Sequence, residues 1–388
     1  MEATINAYNP DWQPPFKRIC STLDVHLCQV PGTASSHIGS TSVPFLSGRS
    51  SVDILITVPR EELEAAIIAL TLSGKYEQSR GGQVTFGTVL STLGDIHLYA
   101  HDLYVCESDS LAARAHIAVR DTLRKDKQLR DEYAAILTRA LKAAEDADHK
   151  NEEQGSVFAQ AKIEAMQEVI IASGQFDSSE LATIFSSDCS ARWAPICTPR
   201  TLIREFELAD VDGMFALEGN EENARYQDWP PWSHVQARQN VLRETRKSYE
   251  KGRDVVELAV EYDGIFVGRI GGRVTSLSTA ADEQKTMDAD ENDSVERKAK
   301  HFDLWYSFLS SCQGKGLATE ATAAFIAQLV EKERVEHKSI ELEIECDPRN
   351  TGSWKLAERL GFSKHSLTER AWESKGEWVD SLVYRKTM

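Results

Sequence analysis

A short glycine-punctuated stretch, Gln313-Gly314-Lys315-Gly316-Leu317-Ala318 followed at once by Thr319-Glu320-Ala321, constrains this chain more than any other feature. Glycines at close spacing let the backbone pass near an anionic ligand, and the residues after them read as a first helical turn whose free N–H groups face it. The pattern suits a cradle for a pyrophosphate. Before it, residues 301–309 read as an aromatic-rich strand. After it, Ala321, Phe325 and Leu329, with Thr322, Ile326 and Val330, fall on one apolar face at helical spacing. Residues 338–345 then alternate Ile340, Leu342 and Ile344 with Glu341, Glu343 and Glu345, as a half-buried strand does. Strand, anion loop, helix and strand in that order fit a phosphate-bearing cofactor. The glutamate row reads either as a draw for a cation or, more simply, as a solvated strand face.

At 388 residues the chain is too long for one ordinary core. Residues up to about 174 alternate short β-like runs with long helical ones, and the small, polar stretch 173–190 suits a linker. A fresh start follows: Thr198-Pro199-Arg200-Thr201-Leu202-Ile203-Arg204 alternates as a first strand, and Asp210-Val211-Asp212 opens a helix with acids in its first turn. Residues 255–262 and 265–270 are β-rich runs separated by Asp263-Gly264, a strong hairpin signal. Between 276 and 300 acids abound and large apolar residues are scarce, so this segment is expected to be a disordered insert. The expected division is 1–175, a linker 176–196, and 197–388. The fold class is α/β and α+β in two domains.

Composition excludes some partners. A net charge of −17 disfavours nucleic acid and anionic membrane surfaces, whereas an amine is easily accommodated. No run reaches the length of a membrane span, and the first residues carry neither a basic region nor an apolar core of a leader. The seven cysteines are scattered without a C-x-x-C pair, which fits a reducing, cytoplasmic compartment and no structural zinc.

The loop motif, with Asn350-Thr351-Gly352-Ser353 and Gly361-Phe362 beyond it, resembles the GNAT superfamily of acetyl-CoA-dependent N-acyltransferases over about residues 197–388. The resemblance implies a central mixed sheet flanked by helices, acetyl-CoA as co-substrate, and direct attack by an amine in a ternary complex. It implies that Gln313, Gly314, Lys315, Gly316, Leu317, Ala318 and Thr319 form the pyrophosphate site and that Asn350 meets the pantetheine arm. Asp303 stands where the ribosomal-protein-acetylating branch carries a carboxylate able to act as general base. Many members place a tyrosine acid seven residues past the asparagine, where this chain has Ala357; Ser353 is then the expected proton donor, or a helix cap. Cys312 adjoins the loop, but no histidine pairing marks it as a nucleophile. Trp229-Pro230-Pro231-Trp232 could wall an amine pocket or anchor a loop.

The first half has a signature of its own. His37-Ile38-Gly39-Ser40-Thr41-Ser42-Val43-Pro44, followed by Val52-Asp53-Ile54-Leu55, resembles the GrpB-like family over about residues 6–173. That implies a nucleotidyltransferase-like mixed sheet with helices, in which Gly39, Ser40, Arg49 and Asp53 surround an anionic ligand such as a nucleotide with Mg²⁺, His97 or His101 lying nearby. Residue 55 is Leu where a second acid would complete a metal doublet, and Phe45 replaces the family's glycine, so a degenerate domain that stabilises its neighbour is the competing reading. His37 also fits a hydrogen-bonded core position. Arg114, Arg120, Arg124 and Lys125 recur near helical spacing, as a solvated face or a phosphate site does.

Acetylation of a small-molecule or peptide amine is the expected function. Nucleotide-driven ligation coupled to acylation, a non-catalytic acetyl-CoA sensor, and O-acylation of an alcohol are the alternatives.

Overall fold

The computed structural model describes residues 13–48, 51–78, 88–92, 100–146, 151–187, 189–275, 300–333 and 339–388. They form two compact units divided between Cys189 and Ser190. Arg49, His97 and, apart from Lys300, the acidic stretch 276–300 lie outside the described residues.

In the first unit α1 (Gln13–His26), β1 (Ala34–Ile38), β2 (Val52–Val58), α2 (Leu63–Leu72), β3 (Tyr76–Gln78), β4 (Thr88–Thr92) and β5 (His101–Glu107) precede α3 (Leu111–Lys125), α4 (Lys127–Asp146), α5 (Asn151–Ala172) and α6 (Ser178–Ile184). The sheet runs β1-β2-β5-β4-β3, with β2 and β5 parallel and the other neighbours antiparallel. Alternation along β2 sorts its two faces. Val52, Ile54, Ile56 and Val58 join Ile19, Leu23 and Leu70 in one core, while Leu55 turns the other way, toward Ile38, Cys106 and Ala113. Asp53 shares that second face, in register with Asp102 of β5.

The stretch read as a linker is not extended. Asp177 accepts from the N–H groups of Ser179 and Glu180 while Glu180 reaches back to the Asp177 N–H, a capping box that starts α6. Leu181, Ala182 and Ile184 are buried, and Glu180 pairs with Arg114 of α3 at 2.7 Å. Small, polar composition hid a helix whose start signal is the acid three residues after Asp177.

The second unit comprises β6 (Ile196–Cys197), β7 (Thr201–Arg204), α7 (Val211–Glu218), α8 (Glu221–Ala224), α9 (His234–Lys247), β8 (Val255–Tyr262), β9 (Ile265–Thr275), β10 (Lys300–Phe308), α10 (Leu317–Glu333), β11 (Ile340–Cys346), α11 (Thr351–Arg359), β12 (Ser363–Ser374) and β13 (Glu377–Thr387). Its sheet order is β12-β13-β11-β10-β9-β8-β7-β6, antiparallel except between β10 and β11. Asp263 and Gly264 both take positive φ, 55° and 75°, as a type I′ turn between β8 and β9 demands. The apolar face read from the α10 sequence is buried against Phe302, Leu304, Leu342 and Ile344. On the other side of the sheet Met214, Leu217 and Val241 of α7 and α9 pack on Ala259 and Phe266. Among the described residues no helix is long and apolar enough to cross a membrane.

Candidate active site

β10 and β11 run parallel and in register from Lys300↔Ile340 to Asp303↔Glu343, and there their pairing stops. Both strands continue: β10 stays bonded to β9 as far as Phe308, and β11 to β13 as far as Cys346. Each follows its other neighbour, so the sheet splits. A cleft of about 910 Å³ occupies this end of the unit, lined by Tyr306, Ser307 and Phe308 of β10, by the loop and first turn of α10, and by Asn350 and Ser353 of α11.

Gly314 and Gly316 sit in the left-handed region at φ 73° and 76°, where a side chain would be strained. Among the described residues, the backbone N–H groups of residues 314–319 donate to no backbone or side-chain acceptor; the first to be engaged is that of Glu320, bonded to the Gly316 carbonyl. Unpaired amides at the start of a 17-residue helix form an anion site whose charge the helix dipole favours. The loop is held from behind. Arg200 donates from Nε to Glu320 Oε2 at 2.7 Å and from a guanidinium NH₂ to the Lys315 carbonyl at 2.8 Å, and Thr198 Oγ1 donates to Glu320 Oε1 at 2.6 Å. These bonds, that from Thr198 foremost, hold the Glu320 carboxyl below its ordinary range.

Asn350 caps α11, its side-chain oxygen accepting from the Ser353 N–H at 3.2 Å, so Ser353 is not the cap. The Ser353 hydroxyl is instead 3.2 Å from the Tyr306 hydroxyl, which also donates to the Ser353 carbonyl at 2.8 Å. Burial pushes the Tyr306 phenol well above its usual range. Sequence reading passed over Tyr306; the signal was its parity, because it shares a strand face with Phe302 and Leu304, the face that meets the helices. Ala357, the position of the absent tyrosine, is fully buried. Cys312 lines the cleft, and its thiol lies 3.9 Å from the Ser311 hydroxyl.

Asp303 occupies the last paired position before the split, on the strand face opposite Tyr306, and it is not among the cleft-lining residues. Its carboxylate lies 3.2 Å from Nε2 of His301, which is itself buried beside Glu341 and Glu343. Arg385 pairs with Glu341 at 3.4 Å and with Glu343 at 2.6 Å, and Glu345 accepts from the Ser381 hydroxyl, so all three glutamates of the strand row have local partners. Trp229 and Trp232 anchor the fold. They flank the buried Arg269 guanidinium at 5.9 and 6.0 Å, and Arg269 bonds Glu218 and Glu257. Glu222, Asn223, Tyr226 and Gln227 also line the cleft, and the sequence carried no recognisable signal for them.

In the first unit Gly39, Ser40 and Asp53 do come together in a second cavity. The basic row of α3 is exposed at Arg114, Arg124 and Lys125, as a solvated face is, while its arginines are bonded within the unit: Arg124 donates to the Ser42 carbonyl at 2.7 and 3.0 Å, Arg120 to the His37 carbonyl, and Arg114 to Glu180. His37 is a core residue, its Nε2 3.0 Å from Thr41 Oγ1, and burial together with Arg124 and Arg120 lowers it to about 4. Phe45, at the position read as the family's glycine, takes the left-handed backbone, at φ 67°. A magnesium–nucleotide site does not fit: Asp53 belongs to no group of three His, Cys, Asp or Glu ligands among the described residues, and the cavity around it is mainly hydrocarbon.

Residues 2–169 match the family model described as GrpB protein, and residues 200–363 match that described as acetyltransferase (GNAT) domain. Among solved structures, a GNAT-family acetyltransferase from Bacillus anthracis is 20% identical, covering 50% of this chain and 98% of its own, with a TM-score of 0.37. A Salmonella typhimurium acetyltransferase that modifies the N-terminal serine of ribosomal protein L7/L12 is 14% identical over 50% and 99%, TM-score 0.39. GrpB from Enterococcus faecalis is 20% identical over 42% and 98%, TM-score 0.34. No curated protein matches the chain.

Proposed function

We propose that this chain, in which a GrpB domain is joined to a GNAT acetyltransferase domain, moves an acetyl group from acetyl-CoA to the amine of a small molecule or peptide. The observation that carries the reading is the run of unengaged N–H groups over residues 314–319, on a loop between a splitting strand pair and a helix start. Those amides, with Gln313 and Lys315 beside them, hold the pyrophosphate. Asn350 steadies the pantetheine arm, which lies along the cleft toward the split.

The split lets groups on opposite sheet faces act on one bond. Asp303 takes a proton, through water, from the incoming ammonium, and the freed nitrogen lone pair forms the C–N bond as the C–S bond breaks. The Ser353 hydroxyl, coupled to Tyr306, gives a proton to the departing thiolate and is restored from solvent. No enzyme nucleophile is required, and Cys312 is left without a role in bond making. The GrpB domain is accessory to this reaction.

Titration of the whole chain with acetyl-CoA, followed by a panel of amines read through free-thiol release, tests the proposal. Saturable binding with amine-dependent thiol release is expected. Absence of binding would sink it, and binding without release on any amine would leave a sensor. Release with alcohols alone would reassign the acceptor.

A further inference from the structure

His301, Asp303 and Glu343 bring one imidazole nitrogen and two carboxylate oxygens within 4.8 Å of one another. Sheet geometry places them there. His301 and Asp303 are two residues apart on β10 and so share a face, and Asp303 is in register with Glu343 of β11, the last pair before the strands part. His301 Nε2 lies 3.2 Å from Asp303 Oδ1 and 3.8 Å from Glu343 Oε2. Two ligand atoms on a tetrahedral zinc ion are about 3.4 Å apart, so these three need little movement to close on one ion.

A buried orphan sets this cluster apart from an acidic strand face. His301 is 3% exposed, and its Nδ1 has no hydrogen-bond partner, standing 3.7 Å from Glu341 Oε2. A bare neutral ring that donates from Nε2 to Asp303 leaves the Nδ1 lone pair facing a carboxylate. A metal on Nε2 puts the ring proton on Nδ1 instead, where Glu341 can accept it, and metal-bound histidines are held in this way by carboxylates behind them. Glu343 is steadied too, by Arg385 Nε donating to its Oε2 at 2.6 Å. Asp303 has His301 as its side-chain partner, and Arg273, its cross-strand neighbour on β9, makes no side-chain hydrogen bond or ion pair among the described residues. The Asp303 side chain is 43% exposed, which leaves a fourth position open to water. One imidazole with two carboxylates suits Zn²⁺, Co²⁺ or Ni²⁺ better than Mg²⁺ or Ca²⁺, which prefer oxygen alone.

We propose that His301, Asp303 and Glu343 bind one divalent transition-metal ion, Zn²⁺ or a near neighbour, which bridges β10 to β11 where their pairing stops. An occupied site withdraws Asp303 from the proton transfer described under the proposed function. That consequence rests on the acetyl-transfer reading; the binding does not, and a titration without acetyl-CoA reads binding alone.

Calorimetric titration of the full chain, freed of metal by a chelator, with Zn²⁺, Co²⁺ and Mg²⁺ tests it, together with the visible spectrum of the Co²⁺ form. One saturable equivalent of Zn²⁺ or Co²⁺ is expected, with d–d bands and no sulfur charge-transfer band, and Mg²⁺ should not compete. His301→Gln and Asp303→Asn should each weaken the ion at least about tenfold. Should the buried His301→Gln variant fail to fold, Asp303→Asn, on a partly exposed side chain, carries the same comparison. Absence of saturable Zn²⁺ or Co²⁺ binding, unchanged affinity in Asp303→Asn, equal affinity for Mg²⁺, or a Co²⁺ spectrum of thiolate ligands would overturn the proposal.

Discussion

Replacing Gly314 by Ala isolates the anion loop from every other feature of the site. A Cβ built on Gly314 meets nothing within 4 Å, so the substitution brings no clash and its cost is that of holding a side chain at φ 73°. That strain is about 1–2 kcal/mol. In the free protein the loop relaxes out of the left-handed region and is relieved of it; in the complex the ligand must draw the amides back. Acetyl-CoA affinity is therefore expected to fall about 5- to 30-fold. Gly252 supplies the control, since it has φ 66°, an equally open Cβ position, and no part in the cleft. Calorimetric titration and thermal melts of both variants give the comparison. Gly252→Ala should lose stability with affinity intact. If the variants lose stability equally and neither loses affinity, the loop is merely the start of a helix and the reasoning fails.

Asp303→Asn should lower turnover by about 10²- to 10⁴-fold and remove the acidic limb of the pH–rate profile; an unchanged profile excludes Asp303 as the base. Tyr306→Phe and Ser353→Ala should each slow thiol release by about tenfold, and the double variant should be little worse than either, because the hydroxyls share one hydrogen bond. Arg269→Met leaves Glu218 and Glu257 buried without their counter-ion, at a cost of about 3–5 kcal/mol, so the second unit should melt about 6 to 20 °C lower by calorimetry. His37 is lowered from 6.5 to about 4 in the folded state, so between those values the unfolded chain binds more protons. Stability of the first unit should thus be lost as pH falls through that window, and a melting temperature flat from pH 6.5 to 5 would contradict the assignment.

What could be read along the chain was local. The apolar face of α10, the Asp263-Gly264 turn and the glycine loop each rest on neighbours within a few residues, where helical period, turn geometry and backbone freedom act directly. Asn350 stood out in the sequence within Asn350-Thr351-Gly352-Ser353, but its capping of α11 appeared only with the helix in place. Tyr306 escaped because its partner is 47 residues away in the chain. The Trp229–Trp232 pair was open to two readings until Arg269 of β9 was seen beside both rings.

The order of residues alone determined that two folding units exist, that one presents a glycine loop ahead of a helix, and that β8 and β9 pair through the Asp263-Gly264 turn. Tertiary structure alone decided that β10 and β11 part after Asp303, that Arg200 clamps Glu320 behind the loop, and that Asp102 stands beside Asp53. The physical reason is that a helix, a turn or a loop answers to energies among near neighbours. The split and the paired carboxylates depend instead on which distant strand each segment follows, and that choice is made by packing across the whole sheet.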